Sequence, residues 1–327
     1  MKKTFSLRRA LLLLWMGCGL ALPAVASLPT KAEPALPSAF RTPDGSYTIM
    51  AGGDVTDPYF VNKALIIALE SGLDMRAELN AWLAWLLPRQ RADGGFDRYC
   101  GARKGAWRAC MPADADDSMA ATTIHLVALA QRKKLLAAKH VKPAQTASRQ
   151  ARKLLDTLRD PASGLYRVFA DRPVYYLMDN AEVYEALAAV GDKPAAEALV
   201  KAIRSGFYKG GRWLPALPGY EKESFYPHVL AHSYLWQGAI ADKASAASDM
   251  AGWLAHHSRA WLSRSDDRFA WGLVAWNIAK LAPAEAACWR HSVNPLPKDV
   301  GWTVLDAFID QALERRGIKP ACARATP

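Results

Sequence analysis

The chain has 327 residues, 51% of them hydrophobic, with 42 Lys and Arg against 31 Asp and Glu for a formal net charge of +11. That length and apolar content suit one large core and exclude an intrinsically disordered chain. The basic excess is not gathered into a Lys/Arg stripe with interleaved aromatics, and no Walker loop, GxGxxG turn or Gly-x-Ser-x-Gly elbow is present, so nucleic-acid partners, nucleotide cofactors and serine-hydrolase chemistry are not expected.

Lys2, Lys3, Arg8 and Arg9 precede an apolar run over residues 10–22, and Ala24-Val25-Ala26 stands before Ser27. These are the basic, apolar and small-residue parts of a secretory signal, which assigns residues 1–26 to a signal peptide. Its removal takes four positive charges and leaves a periplasmic or secreted protein. No later segment reaches the roughly 18 apolar residues of a membrane span, so no transmembrane segment is expected after signal cleavage. Residues 27–45, with Pro29, Pro34, Pro37 and Pro43, read as an extended lead-in.

From there residues 46–327 form one expected domain. Apolar residues recur at helical spacing over 59–71, 75–87, 117–133, 147–158, 179–190, 194–205, 224–240, 245–262, 268–281 and 302–315, without a run of alternating strands. Short links such as 72–74 and 191–193 alternate with long ones such as 88–116 and 160–178. Hairpins packed side by side around a ring would send every long link to one end. The fold expected is therefore all-α, an α/α toroid whose long links surround a crater.

Export leaves Cys100, Cys110, Cys288 and Cys322, an even count in an oxidising compartment, read as the disulfides Cys100–Cys110 and Cys288–Cys322. The first would staple the link carrying Trp107 beside the acidic segment that follows, stabilising by about 3 kcal/mol in the chain-entropy model.

Two stretches carry a resemblance. Gln90-Arg91-Ala92-Asp93-Gly94-Gly95-Phe96 is similar to a repeat of the terpenoid cyclases, and Asp114-Ala115-Asp116-Asp117-Ser118 to the DxDD signature of the class II cyclases. Together they look like the toroidal α/α-barrel proteins, which also include the six-hairpin glycosidases. The match covers about thirty residues. It implies the toroid fold and, in the cyclase pattern, Asp116 as proton donor.

The residues themselves point to a carboxylate site. At a helix start one of Asp114, Asp116 and Asp117 can cap the backbone while another, crowded by its neighbours, keeps a raised pKa. Asp179, Asn180 and Glu182 open another helix. Asp116 or Asp117 is the expected acid and Asp179 the base, with Glu182 in reserve, facing one another across the crater; about 5 Å between carboxyls would imply retention and roughly 6.5–9.5 Å inversion. Asp57, Tyr59, Phe96, Trp107, Tyr176, Asn180, Tyr226, His228 and Trp271 supply the acids and aromatic faces that bind sugars. His228 and His232 have the spacing of a metal pair but lack an accompanying Glu, and no metal or other cofactor is expected. The reading is an exported glycoside hydrolase acting on a poly- or oligosaccharide, neutral or acidic. A lyase using Tyr226, His228, Arg172 and Asn180, a glycan-binding toroid without activity, and a terpenoid-cyclase relative are the alternatives.

Overall fold

The computed structural model describes residues 37–293 and 301–323. The expected signal peptide and the first part of the lead-in lie outside the described residues. In chain order the α-helices are α1 (Pro58–Glu70), α2 (Arg76–Leu86), α3 (Asp116–Arg132), α4 (Ala138–Leu158), α5 (Leu177–Ala189), α6 (Lys193–Phe207), α7 (Lys243–Ser263), α8 (Gly272–Ile278), α9 (Pro283–Val293) and α10 (Val304–Arg315).

An inner ring closes the fold. α1 packs on α3, α3 on α5, α5 on the turn His232–Gln237, that turn on α8, α8 on α10, and α10 back on α1. Outside them, α4 backs α3, α6 backs α5, α7 backs the His232–Gln237 turn and α9 backs α8. α10 is backed instead by the short turn Pro37–Phe40, so part of the expected extended lead-in belongs to the core, with Phe40 buried.

Sequence composition sorts the helices between the two layers. α1 is buried at every position from Val61 to Leu69, and α3 from Asp117 to Val127, as helices enclosed on all sides must be. α4 and α6 bury one stripe each, Ala144, Ala147, Ala151, Leu154, Leu155 and Leu158 in the former. Each fully buried Leu or Ile contributes about 1.5–3 kcal/mol. No described helix is long and apolar enough to cross a membrane.

The helix starts carry recognisable signals. Asp57 caps α1 by accepting the Tyr59 N–H at 2.9 Å, and Pro58 follows at the first helical position. Thr303 and Asp306 form a reciprocal capping box at α10. Asp306 also accepts the Gly272 N–H at 2.7 Å, which ties the starts of α8 and α10 together.

Short strand pairs brace the long links. β1 (Val55–Thr56), β2 (Arg98–Cys100) and β3 (Arg108–Met111) form an antiparallel sheet in that order; β4 (Tyr175–Tyr176) pairs with β7 (Ala216–Leu217), and β5 (Tyr208–Lys209) with β6 (Arg212–Trp213). Both expected disulfides, Cys100–Cys110 and Cys288–Cys322, are formed.

Two segments differ from the sequence reading. Residues 224–240 are not one helix: a five-residue π turn, Phe225–Val229, with Tyr226 at φ −102° and ψ 131°, is followed by the His232–Gln237 3₁₀ turn. Pro227 disfavours helical geometry at the residue before it and supplies no N–H of its own. Residues 268–281 yield only α8, and α9 follows as a separate helix begun by Pro283.

Candidate active site

The starts of α1, α3, α5, α8 and α10, with Tyr226 and Leu230 from the stretch before the His232–Gln237 turn, converge on a cavity of about 290 Å³. Its floor is apolar, built from Ile49, Phe60, Met119, Met178, Leu273 and Leu305, and its walls carry Asp57, Asp114, Asp179 and Asp267. Tyr59, Tyr226, Phe269 and Trp271 complete the lining. Because the chain enters α1, α3, α5, α8 and α10 at this end, the positive ends of their backbone dipoles face the same space, which favours acidic side chains there.

Asp117 and Asp179, at the starts of neighbouring α3 and α5, are both buried and lie close enough for each to act on the other's charge. Asp117 also accepts the Ser118 N–H at 2.8 Å. Burial first, then each other's charge and that of Glu182, push the pair well above the usual carboxylate range. One proton held between two crowded carboxyls follows. The Oδ2 atoms of both residues have no protein partner, and Asp179 lines the cavity.

Arg98 holds the other two acids of this wall. Its Nε donates to Asp57 Oδ2 at 2.7 Å and its Nη2 pairs with Asp114. Burial raises the Asp57 pKa, and Arg98 opposes the rise. The β2–β3 hairpin, closed by Cys100–Cys110, is what carries Arg98 to the cavity.

Across the cavity Tyr226 stacks on Trp271, with centroids 5.1 Å apart and planes within 10°. The distorted π turn aims Tyr226 at the acids. Burial and the charges of Asp179, Asp114 and Asp57 hold its phenol well above its ordinary pKa, so it remains a donor. Trp271 has φ +45°, a strained conformation for a bulky side chain, and its buried Nε1–H has no protein acceptor.

Glu182 sits one layer below rather than on the cavity wall. Its Oε1 accepts the Tyr59 and Tyr234 hydroxyls, each at 2.8 Å, and pairs with the buried Lys63 ammonium at 3.0 Å. Lys63 also reaches Glu185 at 3.0 Å. Tyr59 links this network to the cavity.

Several expected site residues are placed elsewhere. Asp116, the donor implied by the cyclase resemblance, is bound to Arg91 at 2.8 Å, and the same guanidinium holds Asp93 and Asp97, so it serves a structural clamp. Phe96 is fully buried in the core. The Gln-x-x-Asp-Gly-Gly-Phe stretch is itself a packing device: Gln90 donates to the carbonyls of Gly94 and Ala147, and Gly94 at φ +98° passes so close to α4 that a Cβ would lie 2.3 Å from the Gln150 oxygen. Trp107 donates to Asp44 and packs edge-on against Trp85. Tyr176 belongs to β4, and Asn180 pins the preceding link by bonding Tyr166 and the Tyr176 carbonyl.

His228 accepts from the Ser224 N–H at 3.1 Å and stacks on Tyr220, while His232 pairs with Asp249, so the two imidazoles have different partners. Arg172 lies over Phe169. Among the described residues no group of three or more His, Cys, Asp or Glu is arranged to hold a metal ion. Asp117 and Asp179 adjoin instead of facing each other across the cavity, because α3 and α5 are neighbours in the ring. Neither α3 nor α5 takes a side-chain cap, so these acids are free of that task. Sequence reasoning missed Arg98, whose role depends on the hairpin's register, and Lys63, whose signal was a lone cation inside an otherwise apolar helix.

No family model and no curated relative matches the chain. Solved structures do. Rex8A from Paenibacillus barcinonensis complexed with xylose is 14% identical, with a TM-score of 0.55 over 85% of each chain. Its E70A mutant complexed with an arabinofuranosyl-xylotetraose gives 0.58 at 13% identity, over 87% of this chain and 88% of that one. A D-mannose isomerase gives 0.55 at 11% identity, over 85% of this chain and 93% of that one. The likeness is one of architecture: these structures share the α/α toroid fold with this chain.

Proposed function

We propose that this protein is an exported carbohydrate-active enzyme that hydrolyses glycosidic bonds in an envelope or environmental oligo- or polysaccharide. The observation that carries the reading is the cavity wall itself. Asp57, Asp114, Asp179 and Asp267 line it together with the stacked rings of Tyr226 and Trp271, and a sugar offers hydroxyls to the carboxyls and an apolar ring face to the aromatics. Solved structures of similar fold hold xylose and an arabinofuranosyl-xylotetraose, which supports the same ligand class here. The two disulfides suit an oxidising, extracytoplasmic compartment.

In this reading Asp179, kept protonated by its burial beside Asp117, gives its proton to the leaving glycosidic oxygen. The C–O bond breaks as positive charge develops on the sugar ring, which the Asp57 and Asp114 carboxylates steady. Asp114, exposed at the rim, accepts the proton of the attacking water. Incubation with a panel of glycans should release reducing ends, and Asp179→Asn should abolish release while retaining binding.

The apolar floor favours a second reading, an isoprenoid cyclase-like reaction begun by the same Asp179 proton. Turnover of a polyprenyl substrate with no glycan product would establish it.

A further inference from the structure

We infer that a second cavity beside the acid-lined one binds an anionic sugar unit, so that the substrate is an acidic oligosaccharide bearing a uronate next to the cleaved bond. The inference rests on the carbohydrate reading and adds the substrate's charge and polarity. The second cavity measures about 440 Å³ and shares Ile49, Arg98 and Phe269 with the first, so one chain can occupy both. Their linings differ in sign. Four Asp residues line the first, whereas Arg98, Arg268 and a single acid, Asp54, line the second.

Asp54 is already engaged, its Oδ1 accepting the Arg103 N–H at 2.8 Å. Arg268 is exposed and its guanidinium lies 5.1 Å from the centre of the Phe269 ring. Stacking on that face leaves the in-plane N–H edge available, the geometry that meets a carboxylate with two parallel hydrogen bonds. Arg98 commits its Nε and Nη2 to Asp57 and Asp114 and adds positive charge at the boundary between the cavities. Met50, Val55 and Met111 give the second cavity an apolar side for the sugar ring. An anionic unit in the first cavity would instead meet the carboxylates of Asp57, Asp114 and Asp267, so the charge pattern also fixes which way round the chain lies.

The test compares a neutral xylo-oligosaccharide with the same oligomer carrying one glucuronic acid branch, by calorimetric titration into the Asp179→Asn chain, which prevents turnover. The acidic oligomer should bind about tenfold more tightly, as one charge-assisted bidentate contact warrants. Adding Arg268→Ala should bring the two affinities to within about twofold of each other, and Arg268→Lys should keep part of the difference. Raised salt should weaken the acidic oligomer selectively. Equal affinities, or a preference that survives Arg268→Ala, would overturn the inference and leave the carbohydrate reading standing. Failure of both oligomers to bind would overturn the inference as well, and the glycan panel then tests the carbohydrate reading by itself.

Discussion

Asp117 and Asp179 begin two adjacent helices of the inner ring, and their buried carboxyl groups lie close enough for each to raise the other's pKa. Both are buried and held above the usual carboxylate range by desolvation and mutual repulsion. The unfolded chain ionises them near the ordinary value of about 3.9. Above that pH, until the folded pair titrates, the folded protein binds more protons than the unfolded one. Stability contributed by this pair is therefore present at low pH and falls as pH rises through that window, opposite in sign to a salt-bridged Asp. Asp117→Asn should flatten the pH dependence of the Tm and leave the Tm at neutral pH equal or higher.

The same substitution should cost activity. The amide introduced by Asp117→Asn donates to Asp179 and favours its ionised form, so proton donation weakens and turnover should fall about 100-fold. Pre-steady-state or steady-state release of reducing ends, measured as a pH profile, should show the alkaline limb moved to lower pH. An unmoved limb would separate the pair from the chemistry.

Glu182 and Lys63 form a buried ion pair with two tyrosines around it. Removing one partner leaves the other charge buried, so Glu182→Gln should destabilise by about 3 kcal/mol in urea unfolding. The double variant Lys63→Met with Glu182→Met should recover much of the loss. If Glu182→Gln unfolds at the wild-type midpoint, the network is not a stability element.

The Cys100–Cys110 bridge closes the hairpin that delivers Arg98. Replacing both cysteines by Ser should cost about 3 kcal/mol in the chain-entropy model. Because Arg98 pairs with Asp57 and Asp114, KM should rise as well. Unchanged KM with reduced Tm would confine the bridge to stability.

Gly94 separates packing from chemistry. Ala at this position meets the Gln150 oxygen and an unfavourable φ, so Gly94→Ala should lower stability by about 2 kcal/mol or more, with thermal unfolding as the measure. Its folded fraction should retain the wild-type pH profile.

The toroid was legible because the sequence separates helices apolar on every side, such as α1, from helices with one stripe, such as α4, and alternates short links with long ones. The acid-rich helix starts were legible too, since Asp114, Asp117 and Asp179 stand where the periodic runs begin. What each acid does was not legible. Asp116 and Asp117 are adjacent in the chain, yet one turns to the Arg91 clamp and the other to Asp179, a division set by tertiary neighbours. Tyr226 reaches the cavity through a distorted turn that periodicity reads as ordinary helix.

The most direct measurement is release of reducing ends from a panel of neutral and acidic glycans by the purified chain and by its Asp179→Asn variant. The account predicts product from at least one glycan with the wild type, and binding of that glycan without product by the variant at a Tm no lower than the wild type's. Equal turnover by both would contradict it.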